Sequence, residues 1–344
     1  MFYARSGMAI PGAAVTLAPK RGRPDPALRA ALSNCQGTTM TRWTTRDIPA
    51  QHGRAALVTG TGGLGYEDAL ALARAGANVV IAGRNPAKGA AAVAAIRQAV
   101  PGAQVRFGEV DLASLASVAS FAARLAGEQD SLDLLINNAG VMTPPQRRET
   151  RDGFELQFGT NYLGHFALTA QLMPLLKKGR DPRVVTVGSI AARRGTIDFD
   201  DLQAQRSYRA FHVYAQSKLA CLLFAFELNR RSAAGGWGVQ SLAAHPGLSR
   251  TDLLFNTPGG PTRTIYFLRR VFRLLFQPAA QGALPTLFAA TDPNARDGAH
   301  YGPDRLAGTR GYPTEEPAPP RALDKAVAVR LWEVSENLAK VRFA

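Results

Sequence analysis

From residue 53 onward, short runs of β-branched and other apolar residues alternate with longer segments whose apolar positions recur at helical spacing. The runs over 55–59, 78–82, 104–108, 132–136, 183–187 and 239–243 predict strands. Between them, 64–75, 86–99, 114–127, 154–178 and 208–234 predict helices, the second opened by Pro86, where proline sacrifices no hydrogen bond. A further helix is expected near 279–290 and a closing one over 322–340, with a Pro-rich connection over 313–320 before it. Strands separated by helices pair in parallel through right-handed crossovers, and continuous apolar strands need cover on both faces. The pattern predicts a single-domain α/β fold, an open, doubly wound parallel sheet of about seven strands with helices on both faces.

The first 39 residues stand outside this pattern, being rich in Pro, Gly, Ala and Arg. Their apolar stretch over 8–18 is broken by Pro11 and Gly12 and makes a poor signal-peptide core. The segment reads as a disordered extension or as translation upstream of a start at Met40, with a basic transit-like leader as the alternative. The core domain then spans 40–310, and 311–344 holds the Pro-rich connection and the C-terminal helix.

With 46% of 344 residues apolar, the chain can bury a sizeable core. The formal charge is +15; residues 1–39 hold five basic residues and one acid, so +11 remains beyond them. That surplus favours anionic ligands or surfaces without naming one, and no nucleic-acid-binding motif accompanies it. Cys35 and Cys221 form no CxxC pair, and His52, His165, His212, His245 and His300 show no HxxxH or HExxH spacing. Neither a disulfide framework nor a helix-borne metal site is expected, and a cytoplasmic location fits best. No apolar run approaches the roughly 20 residues a membrane span needs.

The first predicted strand runs into Thr59-Gly-Thr-Gly-Gly-Leu-Gly65, which contains GxGxxG and opens the first helix. Unpaired N–H groups and the helix dipole favour phosphate there, with Gly60 turning the chain, Gly62 approaching the anion and Gly65 letting the helix pack. A dinucleotide-binding unit selective for NAD usually carries an acid at the end of the second strand. Here Gly83-Arg84 stands in that place, and a guanidinium suits a ribose 2′-phosphate, so NADP(H) is favoured over NAD(H). Lys88 adds charge nearby, although a solvated helix lysine is the plainer account.

Tyr214-Ala-Gln-Ser-Lys218 puts a phenol and an ammonium on one helix face. Ser189 lies at the end of a predicted strand 25 residues earlier, and Asn161 lies on the preceding helix. With the glycine loop, Asp111-Leu112, Asn137-Asn138-Ala139-Gly140 and His245-Pro246-Gly247, these residues make the chain resemble the short-chain dehydrogenase/reductase family over 53–300. The segment Ile190-Ala-Ala-Arg-Arg-Gly-Thr-Ile-Asp-Phe-Asp-Asp-Leu202 resembles the branch of retinol dehydrogenases and light-dependent protochlorophyllide reductases. Bacterial members of that branch often begin like Met40-Thr-Arg-Trp-Thr-Thr-Arg-Asp-Ile-Pro49. Against the family's TGxxxGxG loop, this one is a residue short around Thr61 and Gly62.

The resemblance implies a Rossmann-type fold and a hydride exchange between a nicotinamide and a carbonyl or alcohol. Negative charge grows on the carbonyl oxygen as hydride arrives, so a proton donor and hydrogen-bond donors are needed there. A free phenol, with pKa about 10, is a poor base at neutral pH, and a nearby ammonium favours its phenolate. Tyr214 is then expected as general acid/base, and the resemblance implies that Ser189 holds the substrate oxygen, Lys218 binds the nicotinamide ribose and Asn161 holds a relay water. It also implies cofactor contacts for Gly60, Thr61, Gly62, Gly63, Leu64 and Gly65 of the loop, and for Arg84, Asp111, Leu112, Asn138, Ala139, Gly140, Tyr214, Lys218, Pro246 and Gly247.

The basic amphipathic run over 264–276 falls where the family carries a substrate lid. A greasy lid implies a lipophilic aldehyde, ketone or alcohol, and the same run suits peripheral membrane contact. Three rival readings remain: a nucleotide-sensing or scaffold protein on the same fold, a C=C reductase like the protochlorophyllide enzymes, and a serine hydrolase using Ser189 and His245. The last lacks a GxSxG elbow. The oligomeric state stays open, a homo-oligomer included.

Overall fold

The structure is a computed structural model that describes residues 42–249 and 276–343. The expectations for 1–39 and for the run over 264–275 fall outside the described residues. Eight strands form one sheet: β1 Ala55–Thr59, β2 Asn78–Gly83, β3 Val105–Glu109, β4 Leu134–Asn137, β5 Arg183–Val187, β6 Gln240–Ala244, β7 His300–Arg305 and β8 Arg310–Glu315. Their order is β3-β2-β1-β4-β5-β6-β7-β8, parallel through β7, with β8 antiparallel at the edge. The helices are α1 Gly63–Arg74, α2 Pro86–Ala99, α3 Leu115–Glu128, α4 Gly164–Leu176, α5 Ala210–Gly235, α6 Ala279–Thr291 and α7 Lys325–Ala339.

Local chemistry sets several of these boundaries. The Asn85 side chain accepts from Lys88 N at 3.0 Å to cap α2, whose first residue is the predicted Pro86. Ser114 caps α3 and Asp324 caps α7 in the same way. Gly236, with φ +62°, ends α5 in the left-handed conformation that glycine adopts without strain.

Three expectations need correction. The sheet has eight strands rather than about seven, because the β7–β8 hairpin escapes a hydrophobic pattern: each strand carries a glycine and a proline, and Pro303 pairs with Pro313. Both prolines are tolerated because β8 is an edge and β7 pairs with β6 only over His300 and Tyr301. The helix expected over 154–178 instead begins as a π-helical turn, Phe158–Leu163, that runs into α4. The helix expected over 322–340 opens with a separate 3-10 turn, Pro320–Leu323.

Alternate residues of the buried strands feed two cores. Leu57 and Leu135 face one shared with α3, α4, α5 and α7, whereas Val58 and Ile136 face another shared with α1, α2 and α6. The first is closed by Trp332 of α7, whose ring packs on Phe166, Phe224 and Phe343 at centroid separations of 5.0, 5.8 and 4.3 Å.

Asp68 of α1 is an exception inside this apolar layer. It is fully buried, and neither carboxylate oxygen has a hydrogen-bond partner. Burial, reinforced by the nearby Glu67 charge, holds its carboxyl well above the usual range, which favours the neutral form in the folded state. An acid raised on folding costs stability as pH climbs above its unfolded pKa, and the cost grows until the folded pKa is reached. Asp68→Asn is therefore expected to raise the thermal midpoint, with a larger gain over wild type at pH 8 than at pH 5. Parallel melting curves at the two pH values check this, and an equal gain at both would contradict it.

Candidate active site

The chain winds outward from β1 to β3, then returns to place β4 on the opposite side of β1. Helices diverge at that switch point, and a crevice opens beyond the carboxyl ends of the strands. A cavity of about 920 Å³ lies there, lined by residues following β1, β4, β5 and β6 and by α2 and α5.

The glycine loop forms one end. Gly60 takes φ +101° and donates its N–H to Ala82 O at 2.7 Å, which fastens the turn to β2. A Cβ on Gly65 would collide with the Gly60 carbonyl and the Asn138 amide, so α1 packs onto the loop only with glycine there. Gly62 is the extended cap residue of α1 and makes no side-chain cap. A Cβ on it would meet nothing within 4 Å, and Gly63, with φ +54°, begins the helix. The first-turn N–H groups of α1 thus border open space, a donor set suited to a pyrophosphate. Shortened as it is, the loop forms the turn, the open approach and the close packing expected of Gly60, Gly62 and Gly65.

Thr61, Gly63 and Leu64 also line the cavity, as do Asn138, Ala139, Gly140, Ser189, Tyr214, Lys218, Pro246 and Gly247. Five of the expected residues do not. Gly65 lies in the packing layer just described. Arg84 is exposed just past β2, and the basic side chain on the wall at this end is Lys88, one turn into α2. Asp111 folds the turn after β3, accepting from Ala113 N at 3.0 Å while its own N–H meets Ser117 Oγ at 3.0 Å. Leu112 is core, with its carbonyl held against Gly164 so closely that a Cβ there would collide.

Asn161, the fifth, lies behind the wall in the π-helical turn. Its Oδ1 accepts from Val141 N at 2.7 Å, and its Nδ2 donates to Val141 O and Ser217 Oγ, each at 3.0 Å. Its backbone carbonyl accepts from His165 Nδ1 at 2.9 Å and from Cys221 Sγ at 3.2 Å. Those contacts engage each polar group of Asn161 at least once. Because a carbonyl can only accept, the His165 proton sits on Nδ1, and Nε2 accepts from the Thr59 hydroxyl at 2.9 Å. Burial drives the His165 pKa down to about 4, so the ring is neutral. Thr59 Oγ1 in turn accepts from Asn138 N and Ala139 N at 2.9 and 3.0 Å, and Asn138 Nδ2 donates to Thr59 O at 2.7 Å. One hydrogen-bonded node joins the ends of β1 and β4 to the start of α4. Sequence reasoning passed over His165, for which the spacing of four from Asn161 was the available signal.

On the other wall, Tyr214 and Lys218 are 7% and 5% exposed. Lys218 Nζ donates to Val187 O at 2.9 Å, which leaves two of its three hydrogens for other acceptors. Ser189 accepts from Ala191 N at 3.2 Å, so its own proton remains free to donate into the cavity. A phenol, an ammonium and a hydroxyl on one wall can hold a substrate oxygen and exchange a proton with it.

A second cluster escaped the sequence because its members come from three separate strand ends. His245, His300 and Glu316 bring potential metal-ligand atoms within 4.8 Å of one another. His245 Nδ1 accepts from Gly247 N at 3.1 Å, so the neutral ring carries its proton on Nε2 and donates to Glu316 Oε1 at 2.6 Å. A metal on Nε2 would displace that proton and leave Nδ1 bare against an amide, contrary to the arrangement metal-bound histidines use. Both nitrogens being engaged also removes His245 as a base for Ser189, which disposes of the hydrolase reading.

Residues 54–258 match the family model described as short chain dehydrogenase. Retinol dehydrogenase 13 of Homo sapiens is 40% identical over 291 residues, covering 83% of this chain and 84% of that one. Polyprenol dehydrogenase of Mus musculus is 41% identical over 292 residues, covering 83% of each. A solved structure from Mycobacterium paratuberculosis superposes with a TM-score of 0.73 at 39% identity, covering 88% of this chain and all of that one. Nucleotide-type sheet, glycine cradle and matched sequence agree: the chain belongs to the short-chain dehydrogenase family of oxidoreductases.

Proposed function

We propose that this protein is an NADP(H)-dependent oxidoreductase interconverting a lipophilic alcohol and its aldehyde or ketone. The observation that carries the reading is a single cavity lined both by the glycine loop and by Ser189, Tyr214 and Lys218. The cofactor supplies or accepts the hydride. Ser189 donates a hydrogen bond to the substrate oxygen, and Tyr214 gives that oxygen its one proton in reduction or takes it in oxidation. Lys218, four residues along the helix from Tyr214 and held by Val187 O, offers its remaining hydrogens to the nicotinamide ribose.

Asn161 has a positioning role beside the relay role the resemblance implied. With its side chain committed to Val141 and Ser217, and Ser217 donating to Tyr214 O at 2.8 Å, it holds the helix that presents Tyr214. Support for a lipophilic substrate comes from Met142, Ile190, Phe211, Leu248 and Phe276 around the reacting end, and from relatives that bear the names retinol and polyprenol dehydrogenase. Support for NADP(H) comes from Lys88 on the wall, Arg84 just outside it, and no acid at the end of β2. Lys88, which the sequence left as a surface lysine, shares the 2′-phosphate with Arg84 in this reading. No helix among the described residues is long and apolar enough to cross a membrane.

Two outcomes are expected. In an NADPH-oxidation screen across lipophilic aldehydes, ketones and quinones, Tyr214→Phe should cut kcat by about 10²- to 10⁴-fold while NADPH still binds. Equal turnover by the variant would sink the mechanism, and a wild type that binds NADPH without oxidising it would favour the sensor. In direct titrations, Arg84→Ala with Lys88→Ala should weaken NADPH by about ten- to a hundredfold and leave NADH unchanged. A parallel loss for both cofactors would refute the phosphate role.

A further inference from the structure

The cavity wall contains a segment with a strained backbone. Residues 141–144 leave the Asn138–Gly140 turn, and Met142 and Thr143 line the cavity. Thr143 has φ +43°, a left-handed conformation in which a β-branched side chain is strained. Such strain persists only where neighbours overdetermine it. Two amides do so here, four residues apart on one helix. Asn161 grips Val141 through both its N–H and its carbonyl. Gln157, fully buried, accepts from Thr143 N at 2.7 Å.

The other half of the Gln157 amide fixes the wall to the catalytic helix. Its Nε2 donates to Tyr208 Oη at 3.3 Å and to Ala210 O at 3.1 Å, and the Tyr208 hydroxyl donates to Pro144 O at 2.8 Å. Ala210 is the first residue of α5, and its neighbour Phe211 lines the cavity one turn before Tyr214. Gln157 itself is not on the cavity wall, so it acts through the residues it holds.

We propose that Gln157 is a positioning residue for the substrate: by holding Thr143 left-handed and bonding to Ala210, it fixes Met142 and Thr143 relative to Phe211, and so sets the width of the substrate compartment beside the reacting carbon. The wall is hydrocarbon at Met142 and Phe211, so it gauges the carbon skeleton flanking the carbonyl rather than the oxygen. This rests on the functional reading above only for where the substrate lies; the clamp on Thr143 is independent of it.

The test compares Gln157→Met, which removes the amide at similar volume, with Gln157→Glu, which keeps an acceptor for Thr143 N–H. In Gln157→Met, KM for a lipophilic aldehyde should rise about five- to tenfold, the ratio one lost buried hydrogen bond corresponds to. Its kcat and its KM for NADPH should stay within about twofold of wild type, and Gln157→Glu should lie closer to wild type than Gln157→Met. Amide exchange over 141–143 in the protein without substrate should accelerate about tenfold in the Met variant, with α5 beyond its first turn unchanged. An unchanged KM, a fall in kcat at fixed KM, or unchanged exchange would overturn the proposal. If wild type reduces no aldehyde, the functional reading fails and the exchange measurement alone decides this one. Should Gln157→Met not fold, Thr143→Gly keeps the bond and narrows the wall residue. It should raise kcat/KM for a bulky aldehyde over a slim one by at least about fivefold, and an unchanged ratio would reject the wall.

Discussion

The Thr59 hydroxyl, at the carboxyl end of β1, is the contact on which the site depends. It accepts from two consecutive amides after β4 and donates to a neutral histidine whose other nitrogen is tied to the Asn161 carbonyl. β1 and β4 are where the winding reverses, so the chain leaves them in diverging directions, and the amides exposed by that divergence need partners. Thr59 supplies one acceptor for both. Leaving either amide buried and unpaired would cost about 1–3 kcal/mol, and the cavity floor would lose its shape with it.

The π-helical turn extends that node sideways. Its wider spiral carries Asn161 and Gln157 toward the 141–144 segment, which has no regular structure of its own, and Asn161 also reaches Ser217 on α5. Turns of this kind occur mostly at functional sites, where a regular helix would point the side chains elsewhere. Asn161, Gln157 and His165 all lie within nine residues, and together they tie three loops to one helix. A polar network of this density stabilises one arrangement only when each member is paired, and these are.

At the far side of the cavity the Pro246–Gly247 segment is steadied from outside. His245 accepts the Gly247 amide and donates to Glu316, which follows the edge strand β8 and also pairs with Arg193 at 3.4 Å. Burial raises the Glu316 pKa, but the His245 hydrogen bond and the Arg193 cation help to outweigh it, and the net lowering favours a charged acceptor. The hairpin that the hydrophobic pattern missed therefore has a bearing on the site, because it delivers the carboxylate that orients the loop.

The alternation of apolar runs, proline and cap residues was enough to determine six of the eight described strands, six of the seven described helices to within a few residues and the doubly wound class, because these depend on neighbours close in the chain. The glycine loop, Ser189, Tyr214 and Lys218 made the candidate site legible because their order resembles that of the short-chain dehydrogenase family, and of that set only the spacing of four between Tyr214 and Lys218 is local geometry. The tertiary structure alone decided that Lys88 rather than Arg84 lines the cavity, that Asp111 and Leu112 build a turn and a core contact, and that Asn161 is bonded to Val141, Ser217, His165 and Cys221. It also brought His245, His300 and Glu316 together from separate strand ends and bent Thr143 into the left-handed region. Each of these depends on which groups meet across the switch point, and a hydrogen bond between residues far apart in the chain leaves no periodicity in the sequence to read.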